Sequence, residues 1–156
     1  MSDAPSNEGP LQFGRRRPGL VYADRPAAFG VAEDGSGRIA LVRVEKPEGA
    51  WFDLPGGAVD PGEDEPAALV REFGEETGLV VEAGRLIARA DQYFVKAGGA
   101  AANNRSGIYL ARVVGQDAAL KIEADHTLEW RTPDAALRAL RHDSHAWAVA
   151  AWLRSR

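Results

Sequence analysis

Along the 156-residue chain the spacing of apolar positions changes period several times, and each change predicts an element. Residues 27–32 and 39–45 read as strands. Between them Asp34, Gly35, Ser36 and Gly37 supply turn chemistry, which predicts a β-hairpin. Residues 46–50 read as a loop and 51–54 as a short strand leading into the turn Leu54, Pro55, Gly56, Gly57. From Asp64 to Gly78 the period becomes helical. Pro66 suits an early helical position, Asp64 or Glu65 the N-cap and Gly78 the C-cap. Ala67, Val70, Phe73, Gly74 and Thr77 form the expected packing stripe, with Leu69 at its margin.

Residues 80–93 and 107–114 read as further strands, and the Gly/Ala/Asn-rich segment 96–106 between them as a flexible loop. Thr132 and Pro133 start a helix carrying Ala136, Leu137 and Leu140; Ser144 opens a last one with Trp147, Val149, Ala150 and Leu153. Strands interrupted by helices predict an α/β fold on a mixed sheet. Residues 1–18, rich in Pro, Ser, Gly and Arg, read as a flexible tail, and 19–156 as a single domain. The cluster Arg15, Arg16, Arg17 reads as a solvated part of that tail.

The helix carries an anomaly. At 100° per residue, Glu72, Glu75 and Glu76 fall within an arc of about 100°, so three carboxylates converge. Each like-charge pair at this spacing costs about 0.2–0.5 kcal/mol, and the C-terminal turn repels anions further. A solvated acidic face is the ordinary explanation of a charge run. Here several local rules fail together beside a glycine turn, which points to function: hard oxygen ligands gathered for Mg²⁺ or Mn²⁺.

Composition narrows the remaining classes. The chain has no cysteine, which excludes disulfides, thiolate metal sites and cysteine nucleophiles. Net charge is −4, which argues against bulk electrostatic binding of nucleic acid but not against a small anion held through a metal. No apolar run approaches membrane-spanning length and the first residues lack a secretion-signal pattern, so a cytoplasmic protein without a membrane partner is expected.

Residues 57–79 resemble the signature box of the Nudix hydrolases: Gly57, Glu63, Arg71, Glu72, Phe73, Glu75, Glu76, Gly78 and Leu79 match its nine specified positions. The resemblance implies an α/β/α sandwich with a central mixed β-sheet, and metal-dependent hydrolysis of a nucleoside diphosphate linked to another moiety, in a family where a homodimer is possible. It implies Glu72 and Glu76 as ligands of Mg²⁺ or Mn²⁺, Glu75 as a ligand or one step removed, and the Gly56 carbonyl as a further ligand. Glu72 is also the candidate general base, while Glu63 and Arg71 form a supporting charge-assisted pair. A later loop offers Glu123, Asp125, His126 and Glu129, of which Glu123 or Asp125 could complete the metal shell and His126 could meet phosphate. Trp51 and Tyr93 are candidates for stacking on a base, and Lys96 and Arg105 on the 96–106 loop for phosphate contact. Subfamily marks beyond the box leave a MutT-like nucleotide pyrophosphohydrolase in front. Dinucleoside polyphosphate hydrolysis, RNA 5′-end hydrolysis and a non-catalytic nucleotide sensor stand as alternatives.

Overall fold

The computed structural model describes residues 10–156; the first nine, half of the expected tail, lie outside the described residues. Eight strands and three helices follow one another along the chain: β1 (Leu11–Phe13), β2 (Tyr22–Ala32), β3 (Ile39–Lys46), β4 (Gly49–Asp53), β5 (Gly56–Ala58), α1 (Glu65–Thr77), β6 (Leu79–Val95), β7 (Ala101–Gln116), β8 (His126–Arg131), α2 (Pro133–Ala139) and α3 (Asp143–Arg154). A five-stranded mixed sheet has the order β1-β6-β7-β2-β5, and a three-stranded sheet the order β4-β3-β8. Within the larger sheet β2 and β7 run parallel through eleven paired residues, while β6 and β7 form a long antiparallel hairpin.

Alternation along β2 divides the core. Ala27, Phe29 and Val31 belong to a cluster shared with α2 and α3, through Ala136, Ala148, Val149 and Trp152. Ala28 and Ala32 face the other way, with Ala68, Leu69 and Phe73 of α1. Helices thus cover both faces of the mixed sheet, as the expected sandwich requires. The side chains on β2 are small because α1 lies close to it: a Cβ on Gly30 would sit 2.8 Å from Phe73 Cε2 and 3.0 Å from Leu69 Cδ1.

Four sequence expectations are corrected. Residues 27–45 do not form a hairpin, because β2 and β3 lie in different sheets and share only the bridge Glu33–Ile39. The true hairpin partner of β3 is β4, which begins inside the expected 46–50 loop. The 96–106 segment is a loop only as far as Ala100. Ala101–Ser106 is paired on both sides, to β2 and β6, and this double pairing overrides the poor strand propensity of its Ala and Asn residues. Likewise β1, inside the expected tail, pairs in parallel with Ala90–Gln92 of β6.

The α1 stripe is rotated from its expected phase. Ala68, Leu69, Phe73, Gly74 and Glu76 are buried, whereas Ala67 and Val70 are exposed. Glu72 and Glu76 therefore share the face of Ala68, Leu69 and Phe73, and point at the edge of the sheet rather than away from it. The caps follow the sequence: Asp64 accepts from Ala67 N, and Gly78 closes the helix at φ 75°.

Close packing at Gly30 makes a direct prediction. Gly30→Ala should destabilise the protein by about 1–3 kcal/mol, since buried Phe73 and Leu69 have no room to yield. Urea denaturation that shows no loss would contradict the α1–β2 packing.

Candidate active site

The glycine turn is tied down from three sides before any acid reaches it. Leu54 N donates to Nδ1 of buried His145 on α3 at 3.2 Å, Gly30 N to Pro55 O at 3.0 Å, and Val59 N to Pro26 O at 2.9 Å. Two glycines then permit contacts no other residue allows. Gly56 has φ 146°, and a Cβ there would lie 2.1 Å from Ala28 O. A Cβ on Gly57 would lie 2.7 Å from Glu72 Cδ. The second glycine of the turn is the space the Glu72 carboxylate needs.

Glu76 is 6% exposed, and its carboxylate accepts from Gly56 N at 2.8 Å and from His126 Nε2 at 3.0 Å. Burial pushes its pKa up to about 7, against the pull of His126 and the Gly56 amide. The Glu76 and Asp125 carboxylates flanking His126 hold that imidazolium up to about 9, against its own desolvation. Desolvation also raises Glu72, while Arg71 opposes the rise. Gly56 contributes its amide here; its carbonyl as a metal ligand remains a proposal.

Arg71 organises the rest. It forms a two-pronged pair with Glu63 at 2.8 and 2.9 Å, and donates to Ala58 O at 3.0 Å, to Glu72 at 3.0 Å and to Glu75 at 3.1 Å. Glu63 in turn accepts from Asp60 N. Its pKa falls to about 2, chiefly through Arg71. The pairing read from the sequence is present, and it fastens the 57–63 loop to α1.

The arrangement fits a divalent cation. Glu72 and Glu76 are desolvated carboxylates at a backbone turn, and a bound cation would offset the burial cost that raises their pKa values. Glu75 stands beside Glu72, the two sharing the Arg71 Nη1 donor. A second group, Glu123, Asp125 and His126, places one ligand atom each within 4.8 Å of one another. Asp125 is also held by Lys46, and its pKa is lowered to about 2.

A cleft opens beside these acids. Arg25, Phe29, Asp53, Gly56, Gly57, Glu76, Phe94, Lys96, Asn104, His126, Arg141 and His142 line its inner part. Trp51, Lys46, Val44 and Ala97 extend it outward. Trp51 lines this outer part, and the Arg141 guanidinium lies 4.4 Å over its ring while pairing with Asp53.

Two expected residues lie elsewhere. Phe94 and Asn104 face the cleft, so their neighbours Tyr93 and Arg105 face the α1 side of the sheet. There Tyr93 packs edge-on against Tyr22 at 5.2 Å, and Arg105 pairs with Asp91 at 2.6 Å and Asp24 at 3.2 Å. Glu129 is held by Arg131. Conversely, Arg25, Asp53, Phe94, Asn104, Arg141 and His142 were not singled out in the sequence. They come together from β2, β4, β6, β7 and the α2–α3 junction, and no local spacing signals such a convergence.

Two measurements follow from this geometry. Arg71→Ala and Glu63→Gln should each impair activity, and the double mutant should lose clearly less than the sum of the two, because both act through one pair. Full additivity would remove the pair from the account. Glu76 and His126 both have folded pKa values raised above their unfolded ones, so the folded state holds more protons than the unfolded state at neutral pH. In chelator, stability should therefore fall as pH rises from about 4.5 through 7 for Glu76, and from about 6.5 through 9 for His126. Glu76→Gln should flatten this slope in thermal melts; an unchanged slope would contradict the buried pair.

Comparison with known proteins places this geometry. The NUDIX domain profile matches residues 23–153. An RNA pyrophosphohydrolase of Sphingopyxis alaskensis is 32% identical over 70% of this chain and 77% of its own length. An 8-oxo-(d)GTP phosphatase of Mycolicibacterium smegmatis is 33% identical over 67% of this chain, but over only 30% of its own length. Among solved structures, a NUDIX hydrolase from Nitrosomonas europaea superposes with TM-score 0.68 at 20% identity, covering 85% of this chain and 90% of its own. A MutT protein from Methanosarcina mazei superposes with TM-score 0.66 at 18% identity, covering 87% and 97%. The latter two speak for the fold. With the profile, the relatives and the box acids agreeing, the chain belongs to the NUDIX family and is a hydrolase acting on phosphorus-containing anhydrides.

Proposed function

We propose that the protein is a Mg²⁺- or Mn²⁺-dependent pyrophosphohydrolase whose substrate is a nucleotide polyphosphate, with Glu72 and Glu76 as metal ligands. The observation that carries this reading is the buried Glu76 carboxylate, locked to Gly56 N beside Glu72, at the inner end of a cleft with cationic walls. A divalent cation held there by Glu72 and Glu76 would neutralise the diphosphate, polarise its oxygens and lower the pKa of a water. The protein's own groups do the positioning. Glu72, raised in pKa by burial and lying against Gly57, accepts the proton of the attacking water; Arg71 holds Glu72 and Glu75 in place.

The base of the substrate is assigned to the outer cleft, where Trp51 and Phe94 line the wall. A second substrate, the triphosphorylated 5′ end of RNA, is favoured by the relative from Sphingopyxis alaskensis and by the outer cleft lined by Lys46, Trp51 and Lys96. A panel of (d)NTPs, 8-oxo-dGTP, dinucleoside polyphosphates and triphosphorylated RNA, each with Mg²⁺, separates these substrates.

Glu72→Gln should reduce kcat by at least about 10²-fold, the scale of a lost general base, while thermal stability stays unchanged or rises as one repelling charge is removed. Full activity in chelator, or marked destabilisation of the variant, would contradict the assignment.

A further inference from the structure

Among the described residues, the charged groups lining the cleft are paired, with two exceptions. Arg141 is neutralised by Asp53, Lys46 by Asp125, and His126 by Glu76 and Asp125. Lys96 is exposed at the hairpin tip. Arg25 is different, because it is half-buried in the inner cleft and forms no ion pair. Its partner is an amide: Nη1 donates to Asn104 Oδ1 at 2.8 Å. Asn104 is 2% exposed, on the β7 residue in register with Arg25.

This is an unusual way to hold a desolvated arginine. A carboxylate at position 104 would satisfy the same donor and offset the burial that works against the guanidinium charge. An amide orients the guanidinium yet leaves its charge unneutralised. Glu72, Glu76 and Asp53 are near enough to act on that charge through space, but none is bonded to it. A fixed cation with free donors, beside the carboxylates assigned to the metal, suits a phosphate oxygen.

Resting on the hydrolase reading above, we infer that Arg25 binds a phosphate group of the nucleotide polyphosphate, and that Asn104 is the positioning residue that keeps this charge available. The metal carboxylates and Arg25 then hold the polyphosphate from two sides. The anion is recognised by the free prongs of the guanidinium, and the outer cleft is left to the nucleoside.

The test is equilibrium binding of inorganic pyrophosphate with Mg²⁺ by calorimetry, together with kcat and KM on the best nucleotide of the panel. Asn104→Asp is near-isosteric, keeps the acceptor for Arg25 and adds the neutralising charge. It should weaken pyrophosphate binding by roughly tenfold and raise KM more than it lowers kcat, with Tm unchanged or higher. Arg25→Gln should show at least the same loss, and Arg25→Lys should recover part of it, which a merely structural arginine would not do. Should Asn104→Asp fail to fold, the Arg25→Gln and Arg25→Lys pair decides alone. Pyrophosphate affinities within twofold of wild type in folded Arg25→Gln overturn the inference. If no nucleotide is cleaved while pyrophosphate binding still depends on Arg25, the nucleotide-polyphosphate reading of the substrate fails and the anion site stands.

Discussion

The site depends on one arginine. Arg71 joins Glu63, the Ala58 carbonyl, Glu72 and Glu75, so a single side chain binds the glycine loop to α1 and separates acids that would otherwise repel. Its single positive charge, shared among Glu63, Glu72 and Glu75, is the reason this helix tolerates them. Remove it, and the 57–63 loop loses its fastening while the carboxylates lose their shared donor. The rest of the site inherits this constraint, since Glu72 reaches Gly57 only if the loop stays where Arg71 holds it.

Burial does the second half of the work. Glu76 sits on the same helical face as Leu69 and Phe73, so the packing that seats α1 on β2 also drives a carboxylate out of water. Desolvation raises its pKa, and the cost is offset by the Gly56 amide and His126. A divalent cation would offset more of it. Core packing and the proposed cation site would thus come from one helix phase rather than from two separate features.

The box, its caps and the Glu63–Arg71 pair could be read from the sequence because they lie within about twenty residues, where helical period and cap chemistry act locally. The cleft could not. Arg25, Asn104 and Arg141 meet only because β2 pairs in parallel with β7 and the α2–α3 junction closes over them, and long-range register leaves no local trace. Residues 101–106 misled for the same reason: a sequence that looks like a linker becomes a central strand once it has partners on both sides. Arg105 then falls on the far face by a single residue, which is how a two-residue period penalises a strand read as a loop, and Tyr93, at the end of a strand read correctly, misses the cleft by the same one-residue step. Phase also explains the stripe on α1. Setting the stripe opposite the acids placed Ala67 and Val70 inside, whereas Ala68 and Leu69 turn inward, with Leu69 and Phe73 at the close approach to Gly30.

Two groups of side chains could hold a cation, the α1 carboxylates and the Glu123, Asp125, His126 cluster. An anomalous difference map from crystals grown with Mn²⁺ decides between them. A peak bonded to Glu72 and Glu76 beside Gly56 is the predicted result; a peak on Glu123, Asp125 and His126 alone would contradict the central claim that the helix acids hold the metal.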